Sequence, residues 1–161
     1  MTATFGASDL VENVSNDQIF LNREKIKTLD LDLDDVQEAI VDELITYENV
    51  YKVYSSKTMS TMSFDSGVEQ LLQKGYNQRR SGDILVVPNP AHISYSKTGS
   101  THGSGLNYDT HVPLLFFGKG IKHGETFQKT VIPDIAPTIS AFLGISFPNG
   151  ATGQPLGFVL D

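Results

Sequence analysis

The order of hydrophobic patterns between residues 18 and 88 is the feature that most restricts how this chain can fold. Residues 18–22, 49–55 and 83–88 are short apolar or alternating runs of the kind that form β-strands. Two helical patterns lie between them, over residues 36–44 and 67–76. The order strand, helix, strand, helix, strand favours an α+β fold, in which a small sheet packs on one side against two helices.

The helix over residues 36–44 has the clearest pattern in the chain. Val36, Ile40 and Leu44 recur at four-residue spacing, which places them on one apolar face. Glu38 and Asp42 fall on another face, and we expect them to meet solvent rather than to form a ligand pair.

The chain after Pro88 has a different character, with long polar and glycine-rich stretches. The near-continuous apolar run 112–118 predicts a strand buried on both faces, and residues 126–131 predict a short strand. Residues 132–144 predict a C-terminal helix that begins at Asp134 and ends at Gly144. Ile135, Ile139 and Phe142 lie on the apolar side of this helix.

We expect residues 1–16 to form a poorly ordered lead-in, because they are small, polar and weakly periodic. Residues 17–161 are then predicted to form a single α+β domain, within which residues 57–63 read as a Ser/Thr/Met linker. A length of 161 residues suits one ordinary domain or a large piece of one.

Composition excludes several classes of protein. The formal net charge of -7 argues against a nucleic-acid-binding surface. No apolar run approaches the roughly 18 residues that a membrane-spanning helix needs, and no signal-peptide pattern is visible at the N-terminus. The absence of cysteine excludes disulfides, thiolate metal sites and cysteine nucleophiles.

A glycine-rich loop over residues 99–111 brings together residue types that bind metals. It holds His102, Asp109 and His111, and Gly103 allows the backbone to approach a ligand closely. A catalytic zinc takes about three protein ligands. We therefore read the loop as one part of a metal site whose other parts lie outside this chain, with a hydrogen-bonded loop histidine as the alternative.

Other chemistries find less support in the sequence. No Gly-x-Ser-x-Gly elbow or phosphate-binding loop is present. Arg79 and Arg80 could bind an anion, but a solvated turn is the preferred interpretation. His92 and His123 are expected to be ordinary surface or hydrogen-bonded residues.

A series of motifs in the second half of the chain carries a family resemblance. They read GDIL, KTGSTHGS, NYDTHVPLLFFGKGI, DIAPT, LGI and PNG, and they occur in that order from Gly82 to Gly153. Together they resemble the C-terminal part of bacterial alkaline phosphatases of the type I phosphodiesterase/nucleotide pyrophosphatase group. The likeness is strongest to the exported, phosphate-irrepressible enzymes of that group and looser over residues 18–76.

The resemblance implies a chemistry for the longer protein. Members of the group are two-zinc phosphomonoesterases, some with side activity on diesters, in which a threonine nucleophile attacks phosphorus with the help of the metals. They act on phosphate-ester small molecules in the periplasm or outside the cell. The histidine of their Thr-His-Gly motif is a zinc ligand, and His102 matches it, while Thr101, Asp109 and His111 are expected to support it.

The resemblance also implies what this chain lacks. The nucleophilic threonine and the other metal ligands of the group have no match in residues 1–81. We therefore expect a fragment with no catalytic residue of its own, inactive alone and unable to retain the zinc ions. Residues 114–118 would join the main sheet of the longer protein, and as a naked edge strand they could cause self-association.

Three hypotheses remain open from the sequence. The first is the inactive C-terminal fragment of a zinc alkaline phosphatase or phosphodiesterase. The second is a non-catalytic binding or regulatory module with a phosphatase-like fold. The third is a small metalloprotein whose single site is formed by His102, His111 and Asp109.

Overall fold

The computed structural model of the chain describes residues 5–92 and 102–160. The chain divides into two compact units, Met1–His111 and Val112–Asp161. The expectation that residues 17–161 form a single domain stays a prediction.

The first unit is built on a four-stranded antiparallel sheet. The strands are β1 (Val11–Ser15), β2 (Gln18–Leu21), β3 (Val50–Ser55) and β4 (Ile84–Pro88), in the order β1-β2-β4-β3. Each pair of neighbours is antiparallel. The three strands predicted in this region are confirmed, and so is the α+β fold class.

Strand β1 lies in the region that the sequence analysis assigned to a poorly ordered lead-in, so that expectation is wrong for Val11–Ser15. The strand pairs with β2 across a two-residue turn in which Asn16 and Asp17 have φ of 52° and 57°. Turns with both central φ values positive match the twist of a hairpin and favour Asn and Asp. All five residues of β1 are exposed, so no apolar alternation marked it.

The described residues of the first unit also form five helices: α1 (Arg23–Thr28), α2 (Leu33–Leu44), α3 (Ser56–Thr61), α4 (Gly67–Gly75) and α5 (Asn107–Thr110). The two predicted helices correspond to α2 and α4. Asp32 caps α2 by accepting hydrogen bonds from the backbone N–H groups of Asp34 and Asp35. Glu38 and Asp42 are exposed, as predicted.

The linker predicted over residues 57–63 is wrong for most of its length, because Ser56–Thr61 form α3. The Oγ of Ser55 accepts a hydrogen bond from the N–H of Thr58 at 3.1 Å and caps this helix. Met59 anchors it, with an exposed fraction of 2%. A single buried side chain in six residues gives too weak a periodicity to predict a helix.

The core of the first unit lies between the sheet and α1 and α2. The predicted inward face of α2 is confirmed for Val36 and Ile40, which are buried, while Leu44 packs at the edge of the core. The buried apolar cluster consists of Leu10, Leu21, Ile26, Val36, Ile40, Val53 and Ile84.

The second unit contains a 3-10 turn (Ile132–Asp134), helix α6 (Ile135–Leu143) and the short helix α7 (Gly157–Leu160). Gly144 ends α6 in the left-handed conformation with φ of 65°, as predicted. On the apolar side of α6, Ile139 and Phe142 are 46% and 43% exposed.

The strands predicted over residues 112–118 and 126–131 are also absent from the second unit as described. Leu115 and Phe117 are 87% and 102% exposed, so the expected buried strand is wrong for this chain. A strand exists only through hydrogen bonds to a neighbouring strand. No described residue pairs with residues 112–118 in a sheet.

Candidate functional site

The histidine loop, residues 102–111, begins after a gap in the description that follows the end of β4. Its far end is tied to that strand end, because the backbone N–H of Ala91 donates a hydrogen bond of 3.0 Å to the hydroxyl of Tyr108. Tyr108 belongs to α5, so the short helix is held beside the segment that leaves β4.

The middle of the histidine loop is fixed by Asp109. One carboxylate oxygen, Oδ2, accepts hydrogen bonds from the hydroxyl of Ser104 at 2.5 Å and from the backbone N–H of Ser104 at 3.2 Å. Gly105 lies against α4, and a Cβ there would come within 2.7 Å of Cγ2 of Val68. These contacts give residues 104–109 a defined position on the first unit.

His102 stands immediately before this fixed segment, and its side chain is exposed. Gly103 has φ of 115°, a conformation that is strained for any residue with a Cβ. The glycine therefore sets the direction in which the chain, and with it the imidazole of His102, leaves the fixed part of the loop.

The other predicted supporting residues have different surroundings. His111 ends α5, where its backbone N–H donates to the carbonyl of Asn107 at 3.0 Å, and its side chain is exposed. Asp109 is partly buried and binds Ser104. Thr101 lies outside the described residues.

No group of three or more His, Asp or Glu side chains in the described part of the chain could hold a metal ion. His102, Asp109 and His111 all belong to that part, so the hypothesis of a small metalloprotein formed by these three residues is wrong. His92 and His123, expected on the surface, are exposed.

A cluster that the sequence analysis did not find joins β3 to α4. The carboxylate of Glu69 accepts hydrogen bonds from the ammonium of Lys52 and, at 2.9 Å, from the hydroxyl of Tyr54. The hydrogen bond from Lys52 contributes most to lowering the pKa of Glu69 to about 2. Burial, followed by the hydrogen bond to Glu69, raises the pKa of Tyr54. Because strand and helix side chains separated by 15 and 17 positions meet here, no local spacing marks the cluster.

Arg79 and Arg80 line an open cavity of about 670 Å³ together with Arg23. Arg23 is already paired with the carboxylate of Asp83. Glu12 and Glu24 line the same cavity, so carboxylates as well as guanidinium groups face it. The exposure of Arg79 and Arg80 agrees with the solvated turn preferred from the sequence.

In the second unit, Asp134 stabilises the fold by accepting backbone hydrogen bonds from two separate segments. The carboxylate of Asp134 accepts hydrogen bonds of 2.9 Å from the backbone N–H groups of Val131 and Gln154. These bonds, with the one from Gln154 the larger cause, lower the pKa of Asp134. The predicted cap therefore serves the 3-10 turn and a tail segment 20 positions away, rather than the first turn of α6.

Thr138 completes this connection between α6 and the tail. Its hydroxyl donates to the carbonyl of Asp134 at 2.7 Å and accepts from the N–H of Leu156 at 2.9 Å. Gly153 packs directly on the backbone of Pro133, where a Cβ would overlap the carbonyl group. The sequence predicted Asp134 as a helix cap, but it could not predict the residues that donate hydrogen bonds to its carboxylate.

Known proteins similar to this chain include several phosphatases. Alkaline phosphatase PafA of Elizabethkingia meningoseptica is 39% identical over 157 residues, which are 97% of this chain and 29% of the relative. Alkaline phosphatase PhoV of Synechococcus elongatus is 30% identical over 88% of this chain and 26% of the relative. A protein of Myroides odoratus named as a calcium-transporting ATPase is 38% identical over 97% of this chain and 29% of the relative.

A solved structure matches the fold. The crystal structure of wild-type alkaline phosphatase PafA has a TM-score of 0.92 and 38% identity, and the match covers 99% of this chain and 31% of that one. No protein-family model matches the chain. The chain thus spans less than one third of the length of these relatives.

None of the helices in residues 5–92 and 102–160 is long and apolar enough to cross a bilayer.

Proposed function

Because this chain is homologous to one segment of the alkaline phosphatases, we propose that it is part of a zinc-dependent enzyme that hydrolyses phosphate esters. In this proposal His102 is a zinc ligand, and the nucleophile and remaining ligands lie on polypeptide outside these 161 residues. The observation that carries the proposal is the similarity to PafA over 99% of this chain at a TM-score of 0.92.

The donor set of this chain does not by itself fit a zinc site. A catalytic zinc needs about three protein ligands, and no such group forms among the residues that the structure describes. Bound zinc would supply Lewis-acid activation of a phosphoryl oxygen and of the nucleophile.

The histidine loop suits a contribution of one ligand. His102 is exposed, so its imidazole can meet ligands carried by other polypeptide. The two hydrogen bonds between Ser104 and Asp109 hold the segment that follows, which limits the loss of conformational freedom when the ring is bound. Asp109 acts in this proposal by positioning the loop, and His111 has no assigned role.

The substrate class and the cellular location of the enzyme are proposed from the same similarity to alkaline phosphatases. The substrates are small phosphate esters, with monoesters as the main class and diesters as a secondary one. The enzyme works in the periplasm or outside the cell.

A non-catalytic module with a phosphatase-like fold is the second candidate. It is favoured by one observation, namely that the described residues hold no complete metal-binding group. The two candidates differ in what His102 does once the rest of a phosphatase is present.

A hybrid enzyme tests the proposal: PafA of Elizabethkingia meningoseptica in which the segment of 157 matched residues is replaced by this chain. We expect the hybrid to bind zinc, measured by inductively coupled plasma mass spectrometry, and to hydrolyse p-nitrophenyl phosphate. His102→Ala should lower kcat/KM by about 100-fold or more, because it removes a metal ligand. His92→Ala, another exposed histidine, is the matched control and should change little.

Two results would contradict the proposal. One is a folded hybrid whose zinc content and activity are the same with His102→Ala as without it. The other is zinc-dependent hydrolysis by the isolated chain, which would mean that the chain carries a full set of ligands.

A further inference from the structure

Helix α4 and the histidine loop approach each other very closely at Gly105. A Cβ at this glycine would come within 2.7 Å of Cγ2 of Val68 and 3.7 Å of Cδ1 of Leu71, which lie on one face of α4. Val68 is itself buried, with an exposed fraction of 8%. Because non-bonded carbon atoms pack about 3.5–4 Å apart, the loop reaches this distance from the helix only with a glycine at position 105.

The chain between this contact and His102 is short and constrained. Ser104 precedes Gly105, and both its hydroxyl and its backbone N–H donate hydrogen bonds to the carboxylate of Asp109. Residues 104–106 are partly buried, whereas His102 and the residue after it are exposed. The position of the backbone at Gly105 therefore determines from where the chain extends to His102.

Glu69, the residue after Val68, holds α4 to the sheet. Its carboxylate accepts hydrogen bonds from the ammonium of Lys52 and the hydroxyl of Tyr54, both on β3. The side chain of Glu69 folds back over the start of the helix, where a Cβ at Gly67 would come within 2.6 Å of its Oε2. Since this side chain is only 17% exposed, water and salt screen the ion pair less than they screen a surface pair.

Gln73 holds α4 at a second place, one turn further along the helix. Its side-chain amide donates hydrogen bonds to the carbonyl groups of Met59 at 3.0 Å and Met62 at 2.6 Å. Its side-chain oxygen accepts the backbone N–H of Phe64 at 3.1 Å. These bonds connect α4 to α3 and to the segment that follows α3. A helix fixed at two places along its length presents a surface of defined position to the loop.

We propose that α4 positions the histidine loop, with Val68 and Glu69 as positioning residues that act on His102 through Gly105. The proposal rests on the proposed function where it takes His102 to be a metal ligand. It deepens that function, because it assigns residues of a separate helix to the placement of the imidazole. A displacement of about 1 Å can reduce the efficiency of a site about 100-fold, so such placement has a measurable effect.

Two size-compensating substitutions test the contact between the helix and the loop. Gly105→Ala adds a methyl group that meets Cγ2 of Val68. In the 161-residue chain, we expect the backbone amides of Ser104 and His111 to exchange at least about tenfold faster in this variant. Adding Val68→Ala removes Cγ2 and should return their exchange to within about threefold of that in Val68→Ala alone. Gly75→Ala, at the end of the same helix, meets nothing within 4 Å and should leave these rates unchanged.

Zinc affinity of the hybrid of PafA and this chain separates positioning from stability. We measure it by competition with a chelator under conditions where the hybrid is folded. Gly105→Ala should weaken zinc binding about 10- to 100-fold, and Glu69→Ala about tenfold. Arg23→Ala is the matched control, since it also removes an ion pair with a carboxylate of the first unit but one that holds α1. It should change zinc affinity by less than about twofold.

Three results would overturn the proposal. The first is a Gly105→Ala chain whose loop amides exchange as in the parent chain. The second is a double variant, Gly105→Ala with Val68→Ala, that recovers nothing or does not fold, because Val68 would then not be the contact that matters. The third is a folded Glu69→Ala hybrid with the zinc affinity of the Arg23→Ala hybrid. If Gly105→Ala alone does not fold, a folded double variant with the exchange rates of Val68→Ala supports the contact.

The failure of this proposal is distinguishable from the failure of the proposed function. Loop exchange that Gly105→Ala accelerates and Val68→Ala restores, in a chain whose hybrid has the same zinc content with and without His102→Ala, would support the positioning of the loop and contradict the zinc-ligand role. A hybrid that loses zinc with His102→Ala but keeps its affinity with Gly105→Ala and Glu69→Ala would do the reverse.

Discussion

The buried carboxylate of Asp83 is held by the guanidinium of Arg23. One of its oxygens, Oδ1, accepts hydrogen bonds from Nε at 3.0 Å and Nη2 at 2.6 Å. The other oxygen accepts the backbone N–H of Leu21 at 2.8 Å. Asp83 precedes β4 and Arg23 begins α1, so this pair fixes the first helix to the sheet.

Replacing Asp83 should destabilise the first unit more than replacing Arg23. Asp83→Ala leaves the buried N–H of Leu21 without an acceptor and should lower the free energy of unfolding by about 3 kcal/mol. Arg23→Ala leaves the carboxylate with one remaining donor, and because Arg23 is half exposed the loss should be about 1–2 kcal/mol. Urea unfolding followed by circular dichroism measures both values.

The ion pair between Lys57 and Asp34 is the control for this prediction. Its side chains are 60% and 48% exposed. Lys57→Ala should therefore change the free energy of unfolding by less than about 1 kcal/mol. An equal loss for Asp83→Ala and Lys57→Ala would contradict the structural role given to Asp83.

The cluster around Glu69 should make the first unit sensitive to acid. Its pKa is lowered from 4.5 to about 2 in the folded chain, chiefly by Lys52. A lowered folded-state pKa contributes stability that is complete above the unfolded-state value and is lost as pH falls from about 5 to about 2. Glu69→Gln should therefore reduce the difference between urea midpoints at pH 5 and pH 3.

Glu48→Gln provides the comparison for Glu69, since Glu48 is exposed. It should leave the pH dependence of the urea midpoint as in the parent chain. The same pH dependence in Glu69→Gln as in the parent would show that the contacts with Lys52 and Tyr54 do not persist in solution.

Gly153 should tolerate no side chain. A Cβ at this position would overlap the carbonyl of Pro133, and backbone atoms cannot give way as the end of a side chain can. We expect Gly153→Ala to lower the stability of the second unit by about 1–3 kcal/mol. Gly150→Ala in the same tail meets nothing within 4 Å and should change it little. Limited proteolysis of the tail distinguishes the two variants, and equal cleavage rates would contradict the prediction.

The hydrogen bonds between Ser104 and Asp109 should matter to the histidine loop rather than to the fold. Asp109 is only partly buried, so Asp109→Ala should cost about 1 kcal/mol or less in stability. In the PafA hybrid it should weaken zinc binding about 10- to 100-fold, as expected when the support of a ligand is lost. Zinc affinity by competition with a chelator measures this effect. Ser104→Thr keeps the hydroxyl and should retain the parent affinity, whereas a loss as large as that of Asp109→Ala would argue against the hydrogen bond as the cause.

The sequence predicted those helices and strands that are marked by the spacing of apolar residues or by a capping residue. The four-residue spacing of Val36 and Ile40 was enough to place α2, and Gly144 was enough to end α6. The patterns failed where a strand or a side chain depends on contacts that local spacing does not show. Strand β1 is held by a turn rather than by apolar alternation, and Glu69 meets partners on another element.

The sequence alone therefore determined the α+β class, three of the four described strands and two of the five described helices of the first unit, and the glycine-rich surroundings of His102. Only the tertiary structure decided that Asp109 binds Ser104, and that the apolar run from Val112 remains uncovered. The physical reason is that hydrophobic periodicity reports which residues seek burial. It does not report whether the fold of the chain covers them.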